Sequence, residues 1–478
     1  MREEVLVFCV MAAVVLIGAV VTKNRREWSV VFLLLASVLG SLVSGMGIRV
    51  REIVEGPFGY LDSALSVASA TFFVFMYYKA GGFQKLYNWI SKINNKVLKA
   101  FLTLFFIAFP SSLSGFPLAS VMTSGVIVSK AMEEDGVEKK KITEIIAVGS
   151  VIGMIMPPNS IPAIIASNGA GSVLPTPYNG FYAPLLAISL PVLVVYALIN
   201  IKTLSKGKGE SRGKMGVYPY VALMVLIATI FDGLCGSISY IGGNVPYFVL
   251  GAVIVLFANK GFGSVRNCID SISSSLFEAV VPIAFLFALG SFIEVSSMTG
   301  VRGFYSLKIL PYDTKAVILF MMAISIGVGV LFSDAIPSFL ITYAVFPIGW
   351  LCSPVVVTGV SMALAVIPLV SINSSIFEET SSYLGSEALK GKDRIKVAVA
   401  LMVPIVVLGV LFVVFGDSTL SFLNFQEEEM VSILYYIIIT LFSLVLLYEL
   451  VTRKDRIVIL ISIATVLIVF ALRALHIK

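Results

Sequence analysis

The sequence predicts an all-α polytopic membrane protein built as an inverted repeat, with two re-entrant hairpins and two discontinuous helices. Three observations carry that prediction. Of 478 residues, 58% are hydrophobic and 13% charged, with mean hydropathy +0.99, which excludes a large soluble core. The apolar runs are near twenty residues long, the length of a spanning helix; the ten-residue alternation of a barrel is absent. Lastly, two of these runs are broken in the middle by proline and small polar residues, each after an interrupted hairpin-like segment.

The first broken span, 142–170, holds Pro157, Pro158, Asn159, Ser160 and Pro162 at its centre. Proline removes backbone donors and pushes the preceding residue out of the α region, so the helix must stop and restart. Within lipid such a break is tolerated only where the freed backbone is buried in protein or lines a cavity. Unwound backbone between half-helices near the midplane is how secondary transporters commonly build ion and substrate sites. A proline kink that only shapes packing is the competing account.

In chain order, residues 1–60 supply scaffold spans at Val5–Val21 and Trp28–Met46 and a polar connection, Gly47 to Tyr60. The first span looks like a signal-peptide core but lacks a small-residue cleavage site, so it is expected to be retained. Residues 61–201 form the first repeat, opening with a span at Leu61–Lys79. Gly81 to Lys99 reads as an amphipathic surface helix with Leu86, Trp89, Ile90 and Ile93 inward. Residues 98–129 are interrupted at Pro110-Ser111-Ser112 and Ser114-Gly115-Phe116-Pro117, the tip of a re-entrant hairpin. A single kinked span is the alternative, and it would put Lys130 and Lys139 to Lys141 outside. After the broken span come an outer loop, Leu174 to Asn179, and a span at Phe181–Ile201.

A Gly/Lys/Ser-rich cytoplasmic linker is expected at 202–216. Residues 217–416 repeat the order: spans at Val217–Cys235, Val245–Ala258 and Ser275–Ile293, then a hairpin over 316–349 with its tip at Phe332 to Pro337. The second broken span, 355–377, is marked by Pro368, Ser371, Asn373, Ser374 and Ser375, and a span at Val397–Phe415 follows. Residues 417–478 add two terminal spans, Met430–Leu450 and Ile457–Leu472.

The net charge of +6 is sorted by loop, so it reports topology and gives no reason to expect nucleic acid as a partner. Basic groups stand at Lys23 to Arg26, Lys85 to Lys99, Lys130 to Lys141, Lys202 to Lys214, Lys260 to Arg266, Lys390 to Lys396 and Arg453 to Arg456. All can be cytoplasmic together only if both interrupted segments return to the side they entered. The first hairpin then opens to the cytoplasm, the second opens outward, and both termini lie outside. The one histidine, His476, is two residues from the end, which removes Ser-His and Cys-His catalysis and His-based metal binding within the membrane. Paired catalytic aspartates are absent as well, so an enzyme is not expected. The four cysteines are scattered without metal or redox spacing.

Lone acids have two readings each. Asp334 at a hairpin tip is a functional candidate, because an intramembrane carboxylate is costly unless paired or ion-bound; bonding to its own tip backbone is the alternative. Asp232, Glu278 and Glu294 lie nearer span ends and are expected to snorkel to the interface.

At these motifs the sequence resembles a known family. Leu61 to Ile165 resembles the large membrane subunit of tripartite ATP-independent periplasmic (TRAP) transporters, in the wider ion-transporter superfamily. The family's Ser-Gly-Ser hairpin tip is matched by Ser114-Gly115, with Phe116 in place of the second serine. Its Gly-x-x-x-Pro-Pro-Ser-Ile-Pro is similar to Gly153 through Pro162, with Asn159 as one extra residue. In the second half, Ser333-Asp334-Ala335 is similar to the Met-Asp-Ser tip, and Ile367 to Asn373 to Thr-Pro-Pro-Val-Gly-x-Asn, over a resemblance that ends near Phe415. The family's Thr-Pro-Thr-Glu-Ala signature is not visible near Gly236 to Pro246, and the two last spans exceed its usual length.

The resemblance implies an elevator-type transporter coupling Na⁺ entry to uptake of a small organic anion, a carboxylate, across the inner (cytoplasmic) membrane. It also implies a small membrane subunit and a soluble substrate-binding protein as partners beside the lipid bilayer. The residue chemistry agrees in part: unwound carbonyls with Ser, Thr and Asn oxygens suit Na⁺, and half-helix N-termini with small tips suit a carboxylate. The expected cation ligands are Ser112, Ser114, Asn159, Ser160, Ser333, Asp334, Ser371 and Asn373. The expected substrate contacts are Ser114, Gly115, Pro158, Ser160, Ser374 and Ser375, although Ser374 and Ser375 would equally suit back-bonding to a helix. Neither break nor tip contains an arginine, so no bidentate Arg clamp is evident. Proton coupling through Asp334 is a rival within the fold, and an ion channel is a rival outside it.

Overall fold

The computed structural model describes residues 3–21, 27–169, 178–207, 216–235, 244–259, 265–309, 311–332, 353–365, 375–385 and 391–418. Among these the regular structure is entirely helical, which satisfies the backbone of each span internally within lipid. Five helical stretches are long and apolar enough to cross a membrane: Glu3–Val21, Val50–Lys79, Lys96–Ser114, Tyr182–Ile199 and Arg266–Met298. The chain is a polytopic membrane protein.

Helices α1 (Glu3–Val21) and α2 (Glu27–Val43) pair with each other, and α2 packs against α16 (Val280–Met298). The expected polar connection before Leu61 is instead helical: α3 (Val50–Glu55) continues through a 3-10 stretch, Gly56–Tyr60, into α4 (Leu61–Lys79). What orders it is backbone contact with α16. A Cβ on Gly56 would collide with the Gly290 carbonyl, and Ser291 Oγ donates to the Ile53 carbonyl at 2.6 Å. Loop chemistry in the sequence carries no sign of that crossing.

Helix α5 (Gly82–Ser91) is amphipathic, but its inward stripe is Phe83, Tyr87 and Ile90, with Leu86 half-buried and Trp89 exposed. Trp89 was expected inward. The Phe83 and Tyr87 rings of this i, i+4, i+7 stripe meet Tyr77 and Phe106, and that packing sets the rotation. Burial pushes the Tyr87 hydroxyl's pKa up and the Lys85 ammonium's down, and Lys85 Nζ sits 3.9 Å over the Tyr218 ring.

Next come α6 (Lys96–Ser114), α7 (Pro117–Ser120), a π turn at Val121–Gly125 and α8 (Val126–Glu134), a helical hairpin whose arms pack on each other and on α9 (Lys139–Ile155). The chain unwinds over 156–160 and resumes as α10 (Ile161–Gly169), then α11 (Tyr182–Ile199) and α12 (Ile201–Leu204). The start of the expected linker is therefore ordered: Lys99 Nζ donates to the Gly207 carbonyl at 3.1 Å, and Gly207 N–H to Asp135 at 2.6 Å.

Helices α13 (Tyr218–Cys235) and α14 (Val245–Ala258) cross α4 and α5. The span expected at Ser275–Ile293 is two helices, α15 (Val265–Phe277) and α16, whose apolar run reaches Met298. Then follow α17 (Val301–Ile309), α18 (Thr314–Phe332), α19 (Pro354–Ala365), α20 (Ser375–Leu384) and α21 (Gly391–Phe415). The tip of the 316–349 hairpin, the centre of the 355–377 span and residues 419–478 lie outside the described residues.

Two turns among the described residues match each other. After α4, Gly81 takes φ +71°, with Ala80 N–H bonding Met76 and Gly81 N–H bonding Tyr78. After α16, Gly300 takes φ +76°, with Thr299 N–H bonding Val295 and Gly300 N–H bonding Ser297. Each left-handed glycine ends a span and launches a short helix, α5 or α17, because only Gly adopts that backbone cheaply. The two spans run in opposite directions. Lys79, at the end of α4, reaches Ser271, and Tyr77 reaches the Tyr218 carbonyl; Gly300, at the end of α16, lies by Glu4 at the start of α1.

The end of the bundle shared by Lys79, the hairpin base and α12 carries Lys85, Lys92, Lys96, Lys99, Lys130, Lys139 to Lys141, Lys202 and Lys206, with Glu133, Glu134, Asp135, Glu138, Glu144 and Asp270 among them. The other end carries fewer cations, Arg49, Arg51, Arg302, Lys308 and Lys315, among Glu52, Glu55, Glu294 and Asp313. The positive-inside rule is the reason to expect the lysine-rich end to face the cytoplasm. Lys139, Lys140 and Lys141 even occupy the first turn of α9, where the helix dipole disfavours cations, and Lys141 is compensated by Glu144 at 2.5 Å.

Candidate functional site

Hairpin tip and break meet inside the bundle. Helix α6 carries Pro110 in its interior, so the Phe106 carbonyl has no i+4 donor. One residue later, two groups that a regular helix pairs with each other both reach the returning arm. Ser111 N–H donates to Ser120 Oγ at 2.8 Å, and Ser124 Oγ donates to the Ile107 carbonyl at 3.2 Å. The π turn holding Ser124 belongs to this stitching. Opposite, Ser111 Oγ donates to the Ser150 carbonyl at 2.8 Å across the α6–α9 contact. That approach is possible because Gly149 and Gly153 face α6; a Cβ on Gly153 would collide with Ser111 Oγ and the Ala108 carbonyl.

At the tip, α6 ends on Gly115 with φ +77°, its N–H bonded to the Ser111 carbonyl at 2.8 Å. A Cβ there would stand 2.5 Å from the Asn159 carbonyl oxygen, so glycine is required twice, by backbone and by space. Asn159 fixes tip to break through both its main chain and its side chain. Its N–H donates to the Ser112 carbonyl at 3.2 Å, and its Nδ2 donates to the Leu113 carbonyl at 2.6 Å. Its Oδ1 accepts from Ser66 Oγ of α4 at 2.9 Å.

Of the expected residues, Ser112, Ser114, Gly115, Pro158, Asn159 and Ser160 are brought together here, all buried. The serine hydroxyls are partly committed: Ser112 Oγ donates to Phe109 at 2.8 Å and Ser114 Oγ to Pro110 at 2.9 Å. A hydroxyl that donates keeps lone pairs to accept with, so these oxygens remain able to face a cation. The Pro158 carbonyl accepts from the Tyr182 hydroxyl at 3.2 Å. The Ser160 carbonyl accepts Ile164 N–H at 2.9 Å, which starts α10 and aims its N-terminus into the same region. Ser333, Asp334, Ser371, Asn373 and Ser374 lie outside the described residues, and Ser375 opens α20.

Sequence reading missed Ser66, Tyr182 and Asn244, and it placed Ser111 at the hairpin tip without naming it as a site residue. The signal for Ser66 was present, since Ser63, Ser66, Ser69 and Thr71 are unusual in an apolar span. Asp232 was expected to snorkel but is buried, with 6% of its surface exposed, in the region of Tyr182; the neighbouring Gly233 lies against the Tyr182 ring. Glu278 is exposed as expected.

Among the described residues no cluster of three His, Cys, Asp or Glu side chains could hold a metal. Any cation at this site would be held by carbonyl, hydroxyl and amide oxygens, a donor set that fits Na⁺ and not Zn²⁺.

α10 packs on α19 and α9 on α20, so the halves of the first broken span meet those flanking residues 366–374.

No family model and no curated protein matches the sequence. Among solved structures, the chain is similar to the Alcanivorax borkumensis YdaH transporter, described as having an unusual topology. The TM-score is 0.54 and the identity 13%, over 83% of this chain and 98% of that one. At that identity the likeness is one of fold, and the chain has the fold of a polytopic membrane transporter.

Proposed function

We propose that the chain is a sodium-coupled secondary transporter that imports an organic anion, a carboxylate, by an elevator motion, as TRAP large membrane subunits do. One observation carries the reading: a hairpin tip of small residues is tied to unwound backbone deep within apolar helices, a costly arrangement unless those oxygens have work to do. Ser112, Ser114, Asn159 and Ser160 would hold Na⁺, whose bound charge offsets that of the anion. The N-terminus of α10, with Gly115, Pro158 and Ser160, would face the carboxylate through backbone dipoles, since no arginine stands at the tip or break. On this reading Ser333, Asp334, Ser371, Asn373, Ser374 and Ser375 form the counterpart site of the second repeat, over residues 217–416. The protein sits in the cytoplasmic membrane with its lysine-rich end inside. A small membrane subunit and a soluble binding protein remain part of the proposal from resemblance alone.

Uptake by proteoliposomes of a panel of mono- and dicarboxylates, with and without an inward sodium gradient, tests it. Saturable uptake of one anion that needs sodium is expected. Uptake driven by a pH gradient alone would favour proton coupling through Asp334, and unsaturable current would favour a channel.

A further inference from the structure

Tyr182 lies outside every motif read from the sequence. It opens α11, is 1% exposed, and its hydroxyl donates to the Pro158 carbonyl of the break at 3.2 Å. The same oxygen accepts from Asn244 Nδ2 at 2.8 Å, in the turn before α14, and Gly233 of α13 leaves room for the ring by having no side chain. Three elements thus fix one phenol against one carbonyl. Asn244 is itself 6% exposed, and its Oδ1 has no hydrogen-bond partner among the described residues, a cost that folded chains ordinarily avoid. That orientation has one compensation. An amide nitrogen donating to the phenol occupies its acceptor side and leaves its single proton for Pro158.

We propose that Tyr182 is a positioning residue for the break, oriented by Asn244, and that it acts by holding the Pro158 carbonyl so that Asn159 and Ser160 stay aligned with the hairpin tip. The proposal rests on the reading of tip and break as a sodium site. Tyr182 touches neither ion nor substrate in it.

The test uses the purified full-length chain and sodium itself as probe. Its thermal unfolding midpoint is followed against sodium chloride, with choline chloride replacing sodium at constant ionic strength. A purely structural role would lower the sodium-free midpoint and leave the half-saturating sodium concentration in place. The positioning role raises that concentration in Tyr182→Phe by about fivefold, the scale of one buried hydrogen bond. Asn244→Asp keeps the size of the side chain but presents acceptors, which take the phenol proton away from Pro158. It should give a shift of similar size, and the double variant should be no worse than either single one, because both changes act through one bond. Unmoved half-saturation in Tyr182→Phe or Asn244→Asp, or shifts that add in the double variant, would overturn the proposal while leaving the sodium site standing. A wild-type chain that sodium stabilises no better than choline would remove the sodium reading and this proposal together.

Discussion

Asn159 donates its side-chain amide to the Leu113 carbonyl at 2.6 Å, so the centre of a broken span is held to the tip of a re-entrant hairpin 46 residues away in sequence. The Asn159 N–H to Ser112 bond and the Ser66 hydroxyl complete a buried, three-way junction. Removing any one member leaves a buried polar atom without its partner, which costs about 1–3 kcal/mol.

Ser66→Ala should therefore weaken sodium dependence although Ser66 lies on α4, outside both hairpin and break. The Asn159 Oδ1 loses its donor, and the half-saturating sodium concentration for uptake should rise about fivefold while membrane levels stay within a factor of two. Asn159→Ala, which loses both side-chain bonds, should raise it further. Unchanged half-saturation in both variants would place the ion site elsewhere.

Gly115→Ala should reduce uptake at least about tenfold. The left-handed backbone at φ +77° alone costs an alanine about 1–2 kcal/mol, and its Cβ would also press on the Asn159 carbonyl at 2.5 Å. Uptake normalised to membrane protein is the measurement. By contrast Gly136→Ala, also at positive φ but with nothing within 4 Å, should change stability modestly and transport little. Equal losses in the two variants would make strain alone the cause and leave the tip contact irrelevant.

Gly153→Ala should fail earlier, in assembly. No space exists for its Cβ between Ser111 and the Ala108 carbonyl, so α6 and α9 must separate. The expected result is lower membrane abundance and a lower unfolding midpoint in detergent. Wild-type abundance and midpoint would show that the α6–α9 crossing yields readily.

Much of this was legible in the sequence because lipid narrows the choices. Apolar length marked the spans, and Pro157 and Pro158 marked where α9 could not continue, whereas Pro110, expected as an interruption, lies inside α6. The Leu61–Lys79 span has the same bounds in sequence and structure. What escaped was decided by partners distant in sequence. Gly47 to Tyr60 looks like loop until Gly290 supplies a surface to pack on, and Trp89 looks inward until Tyr77 and Phe106 rotate α5 by their own packing. Asp232 reads as a span-end acid, but its burial comes from the crossing of α13 with α11 at Gly233 and Tyr182. No local pattern encodes such contacts.

Sidedness can be measured at single cysteines in a background without Cys9, Cys235, Cys268 and Cys352. A cysteine at Lys139 should react with an impermeant maleimide only from the cytoplasm, and one at Phe58, which is 65% exposed at the other end, only from outside. Labelling of Lys139→Cys from outside would reverse the charge assignment and the hairpin orientation with it.

A sodium ion acting at the junction of tip and break is the central claim. The direct measurement is initial uptake of the transported anion into proteoliposomes under an inward sodium gradient at equal pH, and under an inward proton gradient without sodium, for the wild type and Asn159→Ala. The wild type should concentrate the anion only with the sodium gradient, and Asn159→Ala should need several-fold more sodium for the same rate. Concentrative uptake on the proton gradient alone, with Asn159→Ala indistinguishable from wild type, would contradict that claim.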